Sequence, residues 1–226
     1  MTQRHTDVRL EDVGKSYGET IVLSGIELAI EHGQFVAVLG RSGTGKSTLL
    51  NIIGGLDEPT QGRVFLLGHA LPELSETERS ILRARKLGFV FQFFNLIPTL
   101  TARENVELPL ALNGVAKCRA RAHARTLLRE LELDRCADRF PDELSGGEQQ
   151  RIAIARAVAH DPEIVLADEP TGNLDLETGK LVLQLLNDIC RRRGATLVMA
   201  THSDEVVAIA DRVFSVSNSG LEELPR

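Results

Sequence analysis

Cysteine is scarce in this 226-residue chain: Cys118, Cys136 and Cys190 lie far apart and form no closely spaced pair. A disulfide framework or a paired-cysteine zinc site is therefore not expected, and the sparse, odd count suits a reducing cytoplasm. The six histidines are equally scattered. No apolar run approaches the roughly 20 residues that a membrane-spanning helix requires. The segment Met1 to Arg9 is polar and lacks the apolar core of a signal peptide. If the chain works at a membrane, another polypeptide is expected to cross it. A concentrated basic block is missing too, and the net charge is −6. Duplex-binding proteins draw most of their non-specific affinity from such blocks, so no nucleic-acid partner is expected. The densest candidates, Arg191 to Arg193 and the series Arg119, Arg121, Arg125 and Arg129, read as solvated helix faces. No internal repeat or low-complexity linker breaks the chain.

What is present is ordinary for a globular α/β domain, with 42% hydrophobic and 26% charged residues. Short apolar runs alternate with amphipathic stretches, the pattern of parallel strands joined by crossover helices. Phe35 to Leu39 ends in a glycine-rich turn, Ile164 to Ala167 in Asp168-Glu169, and Thr196 to Ala200 in Thr201-His202. Each run thus delivers polar residues to its carboxyl end, the edge where open α/β sheets bind ligands. Val8 to Val13, Ile21 to Ile30 and Arg63 to Leu67 are short and turn-bounded, which predicts an antiparallel sheet at one side. The spacing from Arg119 to Leu133 predicts an amphipathic helix within a helical insertion.

Gly40-Arg-Ser-Gly43-Thr-Gly45-Lys46-Ser47 fits the Walker A pattern. Glycines permit the backbone conformations and close approach that aim N–H groups at phosphate oxygens. Ser42, Gly43, Thr44 and Gly45 form the loop, and Ser47 and Thr48 begin the following helix, whose start also favours anions. Lys46 is placed to reach the β- and γ-phosphates and the Ser47 hydroxyl to ligate Mg²⁺. The run ending in Asp168-Glu169 has Walker B form. A carboxylate at a buried sheet edge is costly unless a cation sits there, which suits Asp168 to the Mg²⁺ shell. Glu169 is suited to polarising the attacking water. His202, on the same edge, is within range of the γ-phosphate and that water.

Leu144-Ser-Gly-Gly-Glu-Gln-Gln-Arg151 reads locally as a capping box, Ser145 with Glu148, at the start of a helix from Gln149 to His160. That does not explain glycines in the first turn, where they weaken a helix. Bare N–H groups at a helix start make an anion site. The chain would then carry two phosphate-binding helix starts, which one nucleotide could satisfy only if two copies faced each other.

LSGGEQQR followed by VLADEPTGNLD resembles the signature and Walker B to D-loop block of ATP-binding-cassette proteins. The resemblance covers nearly the whole chain in the family's order. It implies a P-loop NTPase (RecA-like) α/β core with an antiparallel β subdomain and an inserted α-helical subdomain. One cassette domain over 1–226 is expected, with 1–92 and 156–226 as core and 93–155 as the helical part. It implies ATP and Mg²⁺ as ligands, Tyr17 stacking on adenine, and Gln92 touching Mg²⁺ and sensing a membrane partner. It further implies His202 as the switch histidine, and Ser145, Gly147 and Glu148 meeting the nucleotide of a second copy. GFVFQFFNLIPTLTARENVELPL (Gly88 to Leu110) with ADEPTGNLD is similar to the lipoprotein-releasing and macrolide-export branch, and within it to exporters encoded beside a lysophospholipase. The implied protein is an ATPase working as a homodimer with an integral permease, peripheral on the cytoplasmic face of a bacterial membrane. A soluble cassette of DNA repair or translation would need a long coiled coil or two cassettes, and neither is present. The other alternative is a nucleotide-dependent scaffold of low turnover, against which the intact Glu169 argues.

Overall fold

In the computed structural model, residues 5–217 and 220–225 are described, so Met1 to Arg4 of the polar N-terminal segment lie outside them. The chain opens with β1 (Thr6–Tyr17) and β2 (Thr20–Glu31), then β3 (Phe35–Leu39) and α1 (Lys46–Ile53). It continues through β4 (Gln61–Leu66), β5 (His69–Ala70), α2 (Glu76–Lys86) and β6 (Leu87–Phe91). Three helices follow, α3 (Ala102–Leu112), α4 (Lys117–Glu130) and α5 (Gly146–Val158). The remainder is β7 (Ile164–Asp168), α6 (Leu176–Arg193), β8 (Thr196–Thr201), β9 (Arg212–Ser217) and β10 (Gly220–Glu223).

Two sheets result. One is antiparallel where β1 pairs with β2 and β4, and β4 with β5, in the order β2-β1-β4-β5. The other runs β10-β9-β3-β8-β7-β6, parallel except for its β10 edge. Successive residues of a strand point to opposite faces, and here both faces are covered, so the central strands are apolar throughout. Val36, Val38, Ile164, Leu166, Val198 and Ala200 join the antiparallel sheet and α1 in one core cluster. Phe35, Ala37, Val165, Ala167, Leu197 and Met199 join α3 to α6 in the other.

Close approach of helix to strand depends on Gly88. A Cβ there would lie 2.3 Å from the Ala157 carbonyl oxygen, so β6 and α5 could not pack as they do. The division expected at residue 155 falls inside α5, a single continuous helix. Its last turn packs against Gly88 of β6 through Ala157, while Glu148 in its first turn accepts from Cys136 of the helical insertion. α4 starts two residues earlier than its periodicity predicts and stops at Glu130, because Glu132 turns left-handed (φ 59°). Leu131 and Leu133 still bury, just beyond the helix. Arg119, Arg121, Arg125 and Arg129 are exposed and form no ion pair among the described residues. No helix among the described residues is long and apolar enough to cross a membrane.

Candidate active site

Strand register assembles the site. Leu39 pairs with Thr201, Ala200 with Asp168, and Asp168 with Phe91. The next residue along each strand is then Gly40, His202, Glu169 or Gln92, so four motifs met separately in the sequence stand in a row on one sheet edge. A cavity of about 450 Å³ opens there, lined by Val22, Ser42, Gly43, Gly45, Lys46, Ser47, Thr48, Gln92, Asp168 and Glu169.

The loop after β3 turns into α1 through Gly45, whose φ of 100° favours glycine. Thr44 Oγ1 donates to the Arg41 carbonyl at 2.9 Å, which tightens the loop. Lys46 is 4% exposed, and its ammonium donates to the carbonyls of Gly40 (2.9 Å) and Arg41 (3.1 Å). The same ammonium lies 3.2 Å from Glu169 Oε1. The other carboxylate oxygen of Glu169 is 3.4 Å from Nδ1 of His202, an exposed ring. Glu169 holds a left-handed φ of 44°, an unfavourable conformation for a side chain with a Cβ. Its backbone N–H donates to the Ala200 carbonyl at 2.9 Å. That bond fixes the turn which sends the carboxylate into the cavity.

Asp168 is half-buried. Burial raises its pKa above the usual carboxylate value, while a hydrogen bond from Ser47 opposes the shift. Its Oδ1 is buried with no hydrogen-bond partner among the described residues. An unsatisfied carboxylate oxygen beside a serine hydroxyl is the donor set of a hard cation.

Gln92 reaches the cavity from the end of β6. Its side-chain Nε2 donates to Asn173 Oδ1 at 3.4 Å, and Asn173 Nδ2 donates back to the Gln92 backbone carbonyl at 3.0 Å. Tyr17 does not line the cavity but touches Thr48, which does. Ser145, Gly147 and Glu148 lie apart from it. Ser145 caps α5 by accepting from the Glu148 N–H (3.3 Å), and the Glu148 carboxylate accepts from the Ser145 N–H (2.9 Å). The Cys136 thiol donates to its other oxygen at 3.2 Å. These bonds, the Ser145 backbone donor foremost, pull the Glu148 carboxyl down to about 2. Both oxygens of Glu148 are thus engaged within the chain, and its part is to hold Ser145 and the bare first turn in place.

Residues 23–172 match the family described as ABC transporter. This chain belongs to that family. It is an ATP-binding cassette ATPase. It is 52% identical over 200 residues to the ABC transporter ATP-binding protein MT1014 of Mycobacterium tuberculosis, covering 88% of this chain and 81% of that one. It is 44% identical over 221 residues to the lipoprotein-releasing system ATP-binding protein LolD of Xylella fastidiosa, covering 96% and 92%. Its fold matches the cassette MJ0796, solved as a dimer in a post-hydrolysis state with ADP and Pi, at a TM-score of 0.87 and 43% identity over 97% of this chain and 99% of that one.

Two residues of this cassette escaped the sequence reading. Gln150 is fully buried and donates from Nε2 to the Pro170 carbonyl at 2.6 Å, tying α5 to the turn after Glu169. A second glutamine inside an apolar helix face was the available signal. Asp57, which receives both Lys15 and Tyr17, carried none, because its partners lie 42 and 40 residues away.

Proposed function

We propose that this cassette is the motor of a membrane export or extraction complex, closing head to tail with a second copy around two ATP molecules. One observation carries the reading. The α5 start at Ser145 has two glycines, Gly146 and Gly147, at its first helical positions, yet it contributes nothing to the cavity of its own chain. A second copy, turned about a two-fold axis, brings Ser145 and Gly147 to the nucleotide seated on the first copy's Gly40–Thr48 loop. The dimeric form of the similar MJ0796 cassette supports this arrangement.

Within each site the loop N–H groups and the α1 start hold the phosphates, and the Tyr17 ring receives the base. Lys46 exchanges its Glu169 contact for β- and γ-phosphate oxygens. That frees the Glu169 carboxylate to orient the attacking water and draw on its proton as the water oxygen bonds to the γ-phosphorus and the bridging P–O bond breaks. His202, in reach of Glu169, keeps the water and γ-phosphate aligned. Ser47, Asp168 and Gln92 are the residues that would hold Mg²⁺, which when bound neutralises charge between the β- and γ-phosphates. The unsatisfied Oδ1 of Asp168 supports that assignment. Loss of the γ-phosphate link weakens the closed dimer.

The motion leaves through the segment after Gln92. Arg156 grips its carbonyls at Phe94 (2.9 Å) and Asn95 (2.5 Å), and Phe93 is 71% exposed. Beside it opens an apolar cavity of about 570 Å³ lined by Leu56, Phe89, Phe91, Leu108 and Leu112 among others. This surface suits an integral permease, which would hold the cassette on the inner face of a bacterial membrane. The likeness to LolD supports a hydrophobic or lipid-like cargo, and the motif resemblance supports an exporter encoded beside a lysophospholipase. Replacing Glu169→Gln is expected to lower ATP turnover by at least about 100-fold while ATP still binds. Co-purification from native membranes is expected to bring an integral protein with the cassette. Unchanged turnover would remove Glu169 from its role, and a cassette that never associates with a membrane protein would contradict the motor reading.

A further inference from the structure

The ring of Tyr17 is held on two sides by residues that the nucleotide motifs do not include. Its hydroxyl donates to Asp57 Oδ2 at 2.5 Å, and Lys15 Nζ donates to Asp57 Oδ1 at 2.6 Å. The same ammonium sits 4.8 Å from the ring centroid, over one face, which is attractive geometry for a cation and a π-system. Asp57 is in turn fixed to the phosphate-binding helix, because its N–H and that of Leu56 both donate to the Asn51 carbonyl in α1. The rest of this segment is fastened to β1. Lys15 Nζ also donates to the Glu58 carbonyl (2.6 Å), the Ser16 N–H to Thr60 Oγ1 (3.0 Å), and the Thr60 N–H to the Gly14 carbonyl (2.8 Å). Residues 57–60 therefore bridge the helix that begins at Lys46 and the strand that ends at Tyr17.

We propose that Asp57 and Lys15 are positioning residues for the base of the bound nucleotide, holding the Tyr17 ring at a fixed height above the phosphate loop so that its free face meets adenine. The idea rests on the reading of Tyr17 as the base platform and adds what sets that platform's orientation. A freely rotating tyrosine, half-exposed as this one is, would lose rotamer entropy on stacking, whereas a ring already fixed at its hydroxyl and one face loses little. Asp57 stays ionised for the task. Burial pushes its carboxyl up, but hydrogen bonds from Lys15, Tyr17 and the Glu58 N–H outweigh that and hold it below the usual carboxylate value.

The chain has one tyrosine and no tryptophan, so the phenol's own absorbance reports on this ring alone. In the full-length cassette, Asp57→Ala is expected to raise KM for ATP about tenfold, the worth of one lost hydrogen bond to a charged group, with a much smaller change in kcat. Tyr17→Ala is expected to raise KM at least as far, and Asp57→Ala placed on top of it to add nothing, since Asp57 acts through the ring. Spectroscopic titration is expected to find the wild-type phenol above free tyrosine, because the Asp57 carboxylate accepts its proton, and to find it lowered in Asp57→Ala. Should Asp57→Ala unfold the bridge, Lys15→Met keeps the apolar stem, removes the ammonium with its bonds to Asp57 and the Glu58 carbonyl, and is expected to raise KM in the same direction. An unchanged KM in Asp57→Ala beside a raised KM in Tyr17→Ala overturns the positioning role and leaves the platform standing. An unchanged KM in both overturns the platform itself. An equal effect of Asp57→Ala with and without the tyrosine shows that Asp57 acts on the fold and overturns the proposal.

Discussion

Replacing Asp168→Asn separates stability from function at the cation site. The wild-type carboxyl is half-buried, its Oδ1 has no hydrogen-bond partner among the described residues, and the Glu169 carboxylate stands next to it. A buried polar group left unsatisfied costs about 1–3 kcal/mol, and more when charged. The Ser47 hydroxyl and the Lys46 ammonium offset part of this. An asparagine of nearly the same shape removes the charge but brings an amide that is itself incompletely paired. The net gain is about 1 kcal/mol, or a rise of about 2–4 °C in Tm for a chain of this size. Scanning calorimetry in EDTA is the assay. With Mg²⁺ and ATP at about 100 times the wild-type Kd, the wild type gains about 2.7 kcal/mol by mass action and overtakes the variant, whose metal site is lost. A variant less stable than wild type in EDTA would refute the view that this carboxylate is held at a cost. So would an equal gain of both proteins from Mg²⁺ and ATP.

Four further substitutions test other levels. Thr101→Ala and Ser145→Ala each break a capping box and should each cost about 1 kcal/mol. Only Ser145→Ala should also depress ATP hydrolysis, so equal turnover in the two would remove Ser145 from the site. Gly88→Ala drives a Cβ to 2.3 Å from the Ala157 carbonyl. It should lower stability in a denaturant titration by about 1–3 kcal/mol, and an unaffected midpoint would mean β6 and α5 are less tightly packed. The Glu148 carboxyl sits at about 2, below its unfolded value, so its charge stabilises the fold fully above the ordinary glutamate range and progressively less as pH falls toward about 2. The stability difference between wild type and Glu148→Gln should therefore be flat at neutral pH and shrink in acid. A difference that grows on acidification would contradict the assignment.

The phosphate loop, the acidic strand end and the capped α5 start were legible because each is a local pattern with a local physical cause. The central strands were legible for the same reason, since burial on both faces writes a continuous apolar run. Other elements left fainter marks. No residue of α2 is buried, so its hydrophobic pattern is weak, although Ser75 and Glu78 cap it as firmly as Ser145 caps α5. The short strands β5 and β10 are edges, with little burial to impose alternation. The Lys15–Asp57–Tyr17 contacts and the Gln150 tie to Pro170 depend on residues brought together from distant points of the chain. No window of sequence contains them.

The central claim is that ATP joins two copies across their faces. Sedimentation of Glu169→Gln with and without ATP measures this directly, with Ser145 and Gly147 replaced by bulky residues in a second preparation. The account predicts a dimer with two nucleotides in the first, and in the second a monomer that still binds one. A Glu169→Gln cassette that stays monomeric on saturation with Mg²⁺ and ATP would contradict it, as would loss of nucleotide binding by the single chain when Ser145 and Gly147 are blocked.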